Sequence, residues 1–262
     1  MDLNTVFEVC DARHHRDWRA GDAWLGGGTD LFSEPRPQLR RLVDLNRMGW
    51  PPLRRTAGGG LEIAATCTIA QLIAGVDRPL FHECCRAFPA AFKIWTMATV
   101  GGNLCTSLPS GPIIALTTAL DGVCLLRSPT GAERRVPVAD FVIGVGRNVL
   151  RQGELLRSVT LPGAALARRT AFRQASLYGL GRSSALVVGT GDDEGTVRLT
   201  LTASTTHPFV LSFAQRPTRI ELATAIEHAV PDEAWCDDID GLPQWRRHIT
   251  FRLAEEIRME LA

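Results

Sequence analysis

From Ile94 to Leu120 the chain carries not one Asp, Glu, Lys or Arg, and no other stretch limits the possible folds so sharply. A run of that length is enough to cross a bilayer as a helix. Its middle forbids this, because Gly101, Gly102, Asn103, Pro109, Ser110, Gly111 and Pro112 would break such a helix where no water could satisfy the freed backbone groups. The run therefore belongs to a globular protein and not to a membrane. Composition agrees: of 262 residues, 45% are hydrophobic and 22% charged, which excludes disorder and fibre, while 24 Gly and 15 Pro point to many turns rather than a helical bundle.

Charge and cysteine content exclude further classes. The net charge is +1, and basic residues gather only in pairs such as Arg40-Arg41, Arg54-Arg55 and Arg134-Arg135. Nucleic acid is not an expected partner, because neutralising phosphates needs a basic face. Lys93 is the single lysine, so it is the one candidate for Schiff-base or phosphate-binding lysine chemistry. Seven Cys, an odd number without any Cys-x-x-Cys, suggest neither a disulfide framework nor a metal-cluster loop. With acidic residues and no apolar run between Met1 and Cys10, a reduced cytoplasmic protein without a secretory signal is expected.

Periodicity divides the chain into three blocks. In residues 1–55 a strand at Ala23–Leu25 and a second at Arg41–Leu45 flank a Gly-rich turn, as in a small α/β unit. Residues 56–163 open with the alternating strand Leu61–Ala65, after which Thr66 or Thr68 caps a helix through Ile69, Leu72 and Ile73. A helix over Leu80–Phe88 follows, then the uncharged run, then strands at Gly122–Arg127, Arg134–Val138 and Leu155–Leu161. Leu161-Pro162-Gly163 marks the expected boundary. Beyond it lie strands near Ala171–Ser176, Ser184–Thr190 and Thr196–Ala203, a helix at Glu221–Val230, and one opened by Pro243 with Trp245, Ile249, Leu253 and Ile257 on one face.

Two glycine clusters carry the chemistry. LGGGTDL at 25–31 directly follows a strand, and TVGGNL at 99–104 directly precedes a Pro/Gly-rich loop. Consecutive glycines let successive N–H groups converge on an anion such as a diphosphate. Thr29, Thr99 and Thr106 add hydroxyls and Asn103 an amide. A tight turn is the plainer explanation of either cluster alone. No G-x-G-x-x-G is present, since Leu31 stands where its last glycine would, and no G-x-x-x-x-G-K occurs. A nucleotide here needs a fold with two separated glycine loops. The histidines, including His14-His15 and His82 beside Cys84-Cys85, lack metal-ligand spacing. Asp192-Asp193-Glu194 before Gly195 reads as a hairpin turn, and Trp18, Trp24, Trp50 and Trp95 as core.

These residues resemble a known family. LGGGTDL, the strand Leu42–Asn46, TVGGNL, Ala119-Leu120-Asp121-Gly122, and Leu155–Pro162 are similar to the FAD-binding subunit of molybdenum hydroxylases. That group includes the medium subunit of carbon monoxide dehydrogenase and the flavin domain of xanthine dehydrogenase. AFRQAS at 171–176 and WRRHI at 245–249 extend the likeness to the C-terminal part. The resemblance implies an α+β fold: a two-lobed FAD-binding domain at 1–163, with lobes of about 1–55 and 56–163, then a C-terminal domain at 164–262 of a small antiparallel sheet and helices. It implies FAD held by Leu25, Gly26, Gly27, Gly28, Thr29, Asp30 and Leu31 in a first loop and Thr99, Gly101, Gly102, Asn103 and Thr106 in a second. Leu156 and Arg173 match further FAD-contacting positions, and Arg173 would place positive charge by the flavin or its phosphates.

The implied activity is that of an oxidoreductase subunit. Its partners would be a small subunit with two [2Fe-2S] clusters and a large molybdopterin subunit, and its electron acceptor NAD+, a quinone or oxygen. No acid, base or nucleophile of this chain is required. The chain departs from the family pattern at Pro112, where an Asp contacting the FAD ribose is usual, at Ile94-Trp95-Thr96 in place of Ile-Arg-Asn, and in a short first lobe. Two other readings follow from these departures and from the fold: a flavin-depleted assembly subunit, and a stand-alone flavin reductase, which would need a proton donor facing the flavin.

Overall fold

The computed structural model describes residues 3–15, 17–88, 92–179 and 181–261. Near the N-terminus, strands β1 (Glu8–Asp11), β2 (Asp22–Leu25) and β3 (Arg41–Asp44) form a parallel sheet of order β1-β3-β2. The central strand is the apolar one: Leu42 and Val43 are buried, and Arg41 donates to the Asp22 carboxylate at 2.8 and 2.7 Å across the ladder. The expected pair of strands is present and parallel. No α-helix joins them among the described residues, so this lobe is a small sheet with loop crossovers rather than an α/β unit. β1 escapes the pattern because it is an edge strand whose Glu8 and Val9 are exposed.

The second lobe runs through β4 (Leu53–Arg55), β5 (Leu61–Ala64), α1 (Ile69–Gly75), α2 (Pro79–Arg86), α3 (Phe92–Trp95), α4 (Val100–Thr106) and α5 (Pro112–Ala119). It continues with β6 (Val123–Arg127), β7 (Glu133–Pro137), α6 (Val138–Phe141), a hairpin of β8 (Val142–Gly144) and β9 (Arg147–Asn148), β10 (Leu155–Leu161) and α7 (Gly163–Ala167). The five-stranded antiparallel sheet has the order β4-β5-β10-β6-β7. Of the two candidate caps, Thr68 opens α1: its hydroxyl accepts from Gln71 N while the Gln71 side chain accepts from Thr68 N.

The uncharged run contains the last two residues of α3 and all of α4 and α5. Every residue of α5 is buried, because the helix lies between α2 and α4 of the second lobe and two strands of the C-terminal sheet. A helix covered all round has no face on which to place a charge.

The C-terminal part is a four-stranded antiparallel meander, β11 (Arg169–Ala175), β12 (Ala185–Gly191), β13 (Val197–Thr202) and β14 (Phe209–Phe213), followed by α8 (Arg219–Ala229) and α9 (Pro243–Glu260). β12 is buried along its whole length, with α5 on one face and α9 on the other. Ile249, Leu253 and Ile257 of α9 are buried in a second core with Leu199 and Leu201. The first core crosses Gly163, for Leu186, Val188 and Ala203 are buried with the residues of α4 and α5. Asp121 binds the same seam: Arg168 Nη1 and Arg198 Nη1 contact its two carboxylate oxygens at 2.7 and 2.5 Å. Within the C-terminal part, Arg246 of α9, 1% exposed, donates through its guanidinium to the carbonyls of Gly241, Ser184 and Ala203 and pairs with Asp238.

Candidate functional site

The loop after β2 presents unused donors. Among the described residues the N–H groups of Gly27, Gly28, Thr29, Asp30 and Leu31 have no hydrogen-bond acceptor, five in succession. Successive N–H groups without acceptors are the kind of feature that can receive an anion. Sterics explain the glycines: a Cβ on Gly27 would lie 1.7 Å from the Met97 carbonyl oxygen, and Gly28 has φ +74°, which favours glycine. Asn46 Nδ2 holds the Gly26 carbonyl at 2.9 Å, and Arg36 neutralises Asp30 at 2.7 Å, so the loop's one carboxylate does not repel an incoming anion.

The second glycine cluster is not a loop. It is the first turn of α4, with Thr99 as N-cap, and its donors are already committed. Val100 N–H donates to Cys67 O at 2.8 Å, Gly101 N–H to Ala65 O at 2.9 Å, and Gly102 N–H to Thr99 Oγ1 at 3.0 Å. The expectation that both clusters leave N–H groups for a diphosphate is therefore corrected for the second: the first keeps its N–H groups without acceptors, whereas those of the second are engaged and its glycines serve close approach. A Cβ on Gly101 would fall 2.6 Å from Ala65 Cβ, so glycine is what lets α4 lie on the end of β5. What α4 offers a ligand is side chains. Asn103 Oδ1 accepts from Ile113 N at 3.2 Å, leaving its NH2 as donor, and the Thr106 hydroxyl donates to Gly102 O at 2.8 Å, leaving its oxygen as acceptor.

Between the two motifs lies a cavity of about 700 Å³, within the usual size of a cofactor site. Of the fourteen residues singled out from the sequence, twelve line it: Gly26, Gly27, Gly28, Thr29, Asp30, Leu31, Thr99, Gly101, Gly102, Asn103, Thr106 and Leu156. Leu25 and Arg173 do not. Leu25 ends β2, its carbonyl accepting from Leu45 N at 2.9 Å. Arg173 is the larger correction, since it leans on α9 and pairs with Glu256 at 3.1 Å and Glu260 at 2.6 Å. Alternation along β11 sends it there, while neighbouring Phe172 packs on the first core.

Sequence reasoning missed Arg182 and Glu154. Among the described residues Arg182, in the β11–β12 connection, is the one lining residue from beyond Leu156, and no carboxylate there pairs with it. Its place follows from Arg246, which fastens Ser184 O and Ala203 O, and from Ala203 N–H, which donates to Pro109 O at 2.9 Å. The β11–β12 connection thus stands over the Ser110-Gly111-Pro112 turn. Glu154 lies just before β10 and accepts from Arg134 at 2.9 and 2.6 Å and from Arg151 N at 2.8 Å. The Arg134 hydrogen bonds hold its carboxyl down to about 2, so it is ionised and fully engaged. Burial pushes the lining thiol of Cys105 up to about 12. Arg182 reaches the cavity only through contacts distant in sequence, whereas Glu154 stands beside the lining residues Leu155 and Leu156 and was missed because a lone Glu before a strand carries no motif of its own.

Among the described residues no helix is long and apolar enough to cross a membrane. Residues 5–164 match the family described as FAD binding domain in molybdopterin dehydrogenase. The chain is 28% identical over 178 residues to the nicotinate dehydrogenase FAD-subunit of Eubacterium barkeri, covering 63% of this chain and 57% of that protein. It is 30% identical over 145 residues to the xanthine dehydrogenase FAD-binding subunit of Escherichia coli O157:H7, covering 53% of this chain and 49% of that one. These matches span about half the length of the relatives. The structure of reconstituted CO dehydrogenase from Oligotropha carboxidovorans shares the fold, with a TM-score of 0.82 at 21% identity over 99% of both chains. A glycine nest facing a cofactor-sized cavity and a family match over more than half its length lead to one conclusion: the chain belongs to the FAD binding domain family of molybdopterin dehydrogenases.

Proposed function

We propose that this chain is the flavoprotein electron-transfer subunit of a molybdenum hydroxylase-type complex. FAD would be held with its diphosphate on the N–H groups of Gly27 to Leu31. The observation that carries the reading is that row of five unengaged donors opening onto the 700 Å³ cavity. Bound FAD supplies reversible one- and two-electron chemistry, and the protein supplies grip, orientation and charge. Gly26 and Gly28 shape the nest. Thr99 caps the helix behind it, and Asn103 and Thr106 contribute one donor and one acceptor. Leu156 forms part of the wall, and Arg182 brings positive charge to the cavity. Residues 1–163 would make the cofactor domain and 164–262 a C-terminal domain closing it through α5 and the β11–β12 connection.

In this reading electrons arrive from [2Fe-2S] clusters on a small subunit, after leaving a large molybdopterin subunit, and depart to an acceptor such as NAD+. A stand-alone reductase is less well supported, because it needs a proton donor facing the ring. The lining carboxylates are committed, Asp30 to Arg36 and Glu154 to Arg134. The flavin-depleted scaffold was suggested by Pro112, which does line the cavity, yet a scaffold has no use for an exposed nest. The test is the visible spectrum of the purified chain with and without added FAD. Bound flavin absorption is expected, and a folded, colourless protein that ignores FAD would refute the reading.

A further inference from the structure

Strand register gathers one face of the first-lobe sheet. In the parallel ladder Cys10, Val43 and Trp24 stand side by side, as do Glu8, Arg41 and Asp22, and alternation along each strand points both rows the same way. Among the described residues no α-helix of this lobe covers that face. The β1–β2 connection brings His15 and Trp18 to it instead. The His15 side chain is only 6% exposed; its Nδ1 lies 3.9 Å from Cys10 Sγ, and its Nε2 faces Asp22 Oδ2 at 3.9 Å without a hydrogen bond. That oxygen is already taken by Arg41 Nη2 at 2.7 Å and Arg19 N at 2.8 Å. The imidazole meets Trp18 and Trp24 edge-on at 5.8 and 5.7 Å, and the two indoles are 4.7 Å apart. Both bear on the second lobe. Trp24 Nε1–H donates to the carbonyls of Gly153 at 3.3 Å and Glu154 at 3.1 Å, and a Cβ on Gly153 would come within 2.9 Å of Trp18 Cγ.

A neutral imidazole suits this place and an imidazolium does not. The charged groups that face it among the described residues are Asp22 of β2, Arg41 of β3, and Asp17 and Arg19 of the connection, together with the Cys10 thiol of β1. Asp22 is committed to Arg41, so a second cation finds no free acceptor there. Burial, and then the Arg41 charge, pushes the His15 imidazole below its ordinary 6.5. We propose that His15 is a positioning residue for the joint between the lobes: the neutral ring holds the Trp18–Trp24 pair against Gly153 and Glu154, and the protonated ring leaves for water and loosens that joint. The joint works in this way whatever the cavity binds. Because the closed form takes the proton less readily than the open one, the joint is at full strength above pH 6.5 and weakens as pH falls below it. The opening equilibrium rises by up to about tenfold per pH unit until the closed form itself titrates.

Hydrogen exchange followed by mass spectrometry, on the wild type, His15→Gln and His14→Gln between about pH 7.5 and 5.5, tests this. His14, whose side chain is 79% exposed, is the control. After correction for intrinsic exchange, peptides covering Asp22–Leu25 and Gly153–Leu156 should lose protection roughly fivefold or more on acidification in the wild type and His14→Gln, and less than about twofold in His15→Gln. Unchanged protection in the wild type, or an equal loss in His15→Gln, would overturn the proposal. A loss confined to Asp22–Leu25 would also overturn it, since His15 would then act within the first lobe alone. Where His15→Gln does not fold, proton NMR of the wild type decides. The Trp24 indole N–H resonance, assigned by its loss in Trp24→Phe, should shift with a midpoint below 6.5, and a resonance that ignores pH refutes the role.

Discussion

Replacing Gly27 by Ala puts the glycine nest to its hardest test. The added Cβ would sit 1.7 Å from the Met97 carbonyl oxygen and 2.6 Å from its carbonyl carbon, where real Cβ contacts stay above 3.0 Å. Both partners are main chain, so no side chain can swing aside. Either the Gly26–Leu31 loop or the segment leading into α4 has to retreat by more than an ångström. Overpacking of this kind costs about 1–3 kcal/mol, and backbone against backbone belongs at the upper end. Because the displaced atoms are the anion-binding donors, most of that cost falls on the ligand: a loss of roughly 100-fold in FAD affinity. The assay is a titration of flavin fluorescence against protein, with Gly58→Ala as control, since a Cβ there meets nothing within 4 Å. Wild-type affinity in folded Gly27→Ala would show that this contact does not set the loop, and the steric account of the motif would be wrong.

Three further outcomes follow from contacts away from the nest. The Glu154 carboxyl is held down to about 2 from 4.5 by Arg134, so the stability it contributes is present above pH 4.5 and lost as pH falls toward 2; thermal melts of Glu154→Gln should lose that part of the acid dependence. Asp121→Ala frees Arg168 and Arg198 from a half-buried double ion pair and should lower stability by about 1–2 kcal/mol, read by urea denaturation. Arg246→Met leaves three buried carbonyls and Asp238 without their donor, which predicts a loss of about 3 kcal/mol or more by the same assay.

What could be read from the sequence was what local patterns encode. Strands with alternating or continuous apolar residues, such as Leu61–Ala64, Val123–Arg127 and Leu155–Leu161, stand within a residue or two of where periodicity put them. The hairpin at Asp192–Gly195 and the helix opened by Pro243 were legible from turn and cap chemistry. α4 was not. It begins Val-Gly-Gly-Asn, and each glycine costs about 1 kcal/mol in a helix, so only the packing of Gly101 on Ala65 and the Thr99 cap make it helical. α5 was hidden for the opposite reason: apolar on every side, it has no periodicity to detect. The edge strand β1 and the terminal strand β14 lack the buried alternation that marks their neighbours. At the site the motif residues were visible because glycine is rare in runs. Arg173 was misplaced because a strand's two faces look alike until something packs on one of them.

The burial of α5 has a consequence for how the molecule responds to heat. Asn103 joins α4 to the first turn of α5, and α5 is at once a wall of the first core and the floor beneath β12 and β13. A ligand that grips Asn103 therefore tightens the surface on which the C-terminal sheet rests. The free energy of occupying the cavity would then reach a sheet that, among the described residues, gives it only Arg182 of the β11–β12 connection, and thermal melts with and without FAD are expected to show sheet and cavity unfolding in one transition.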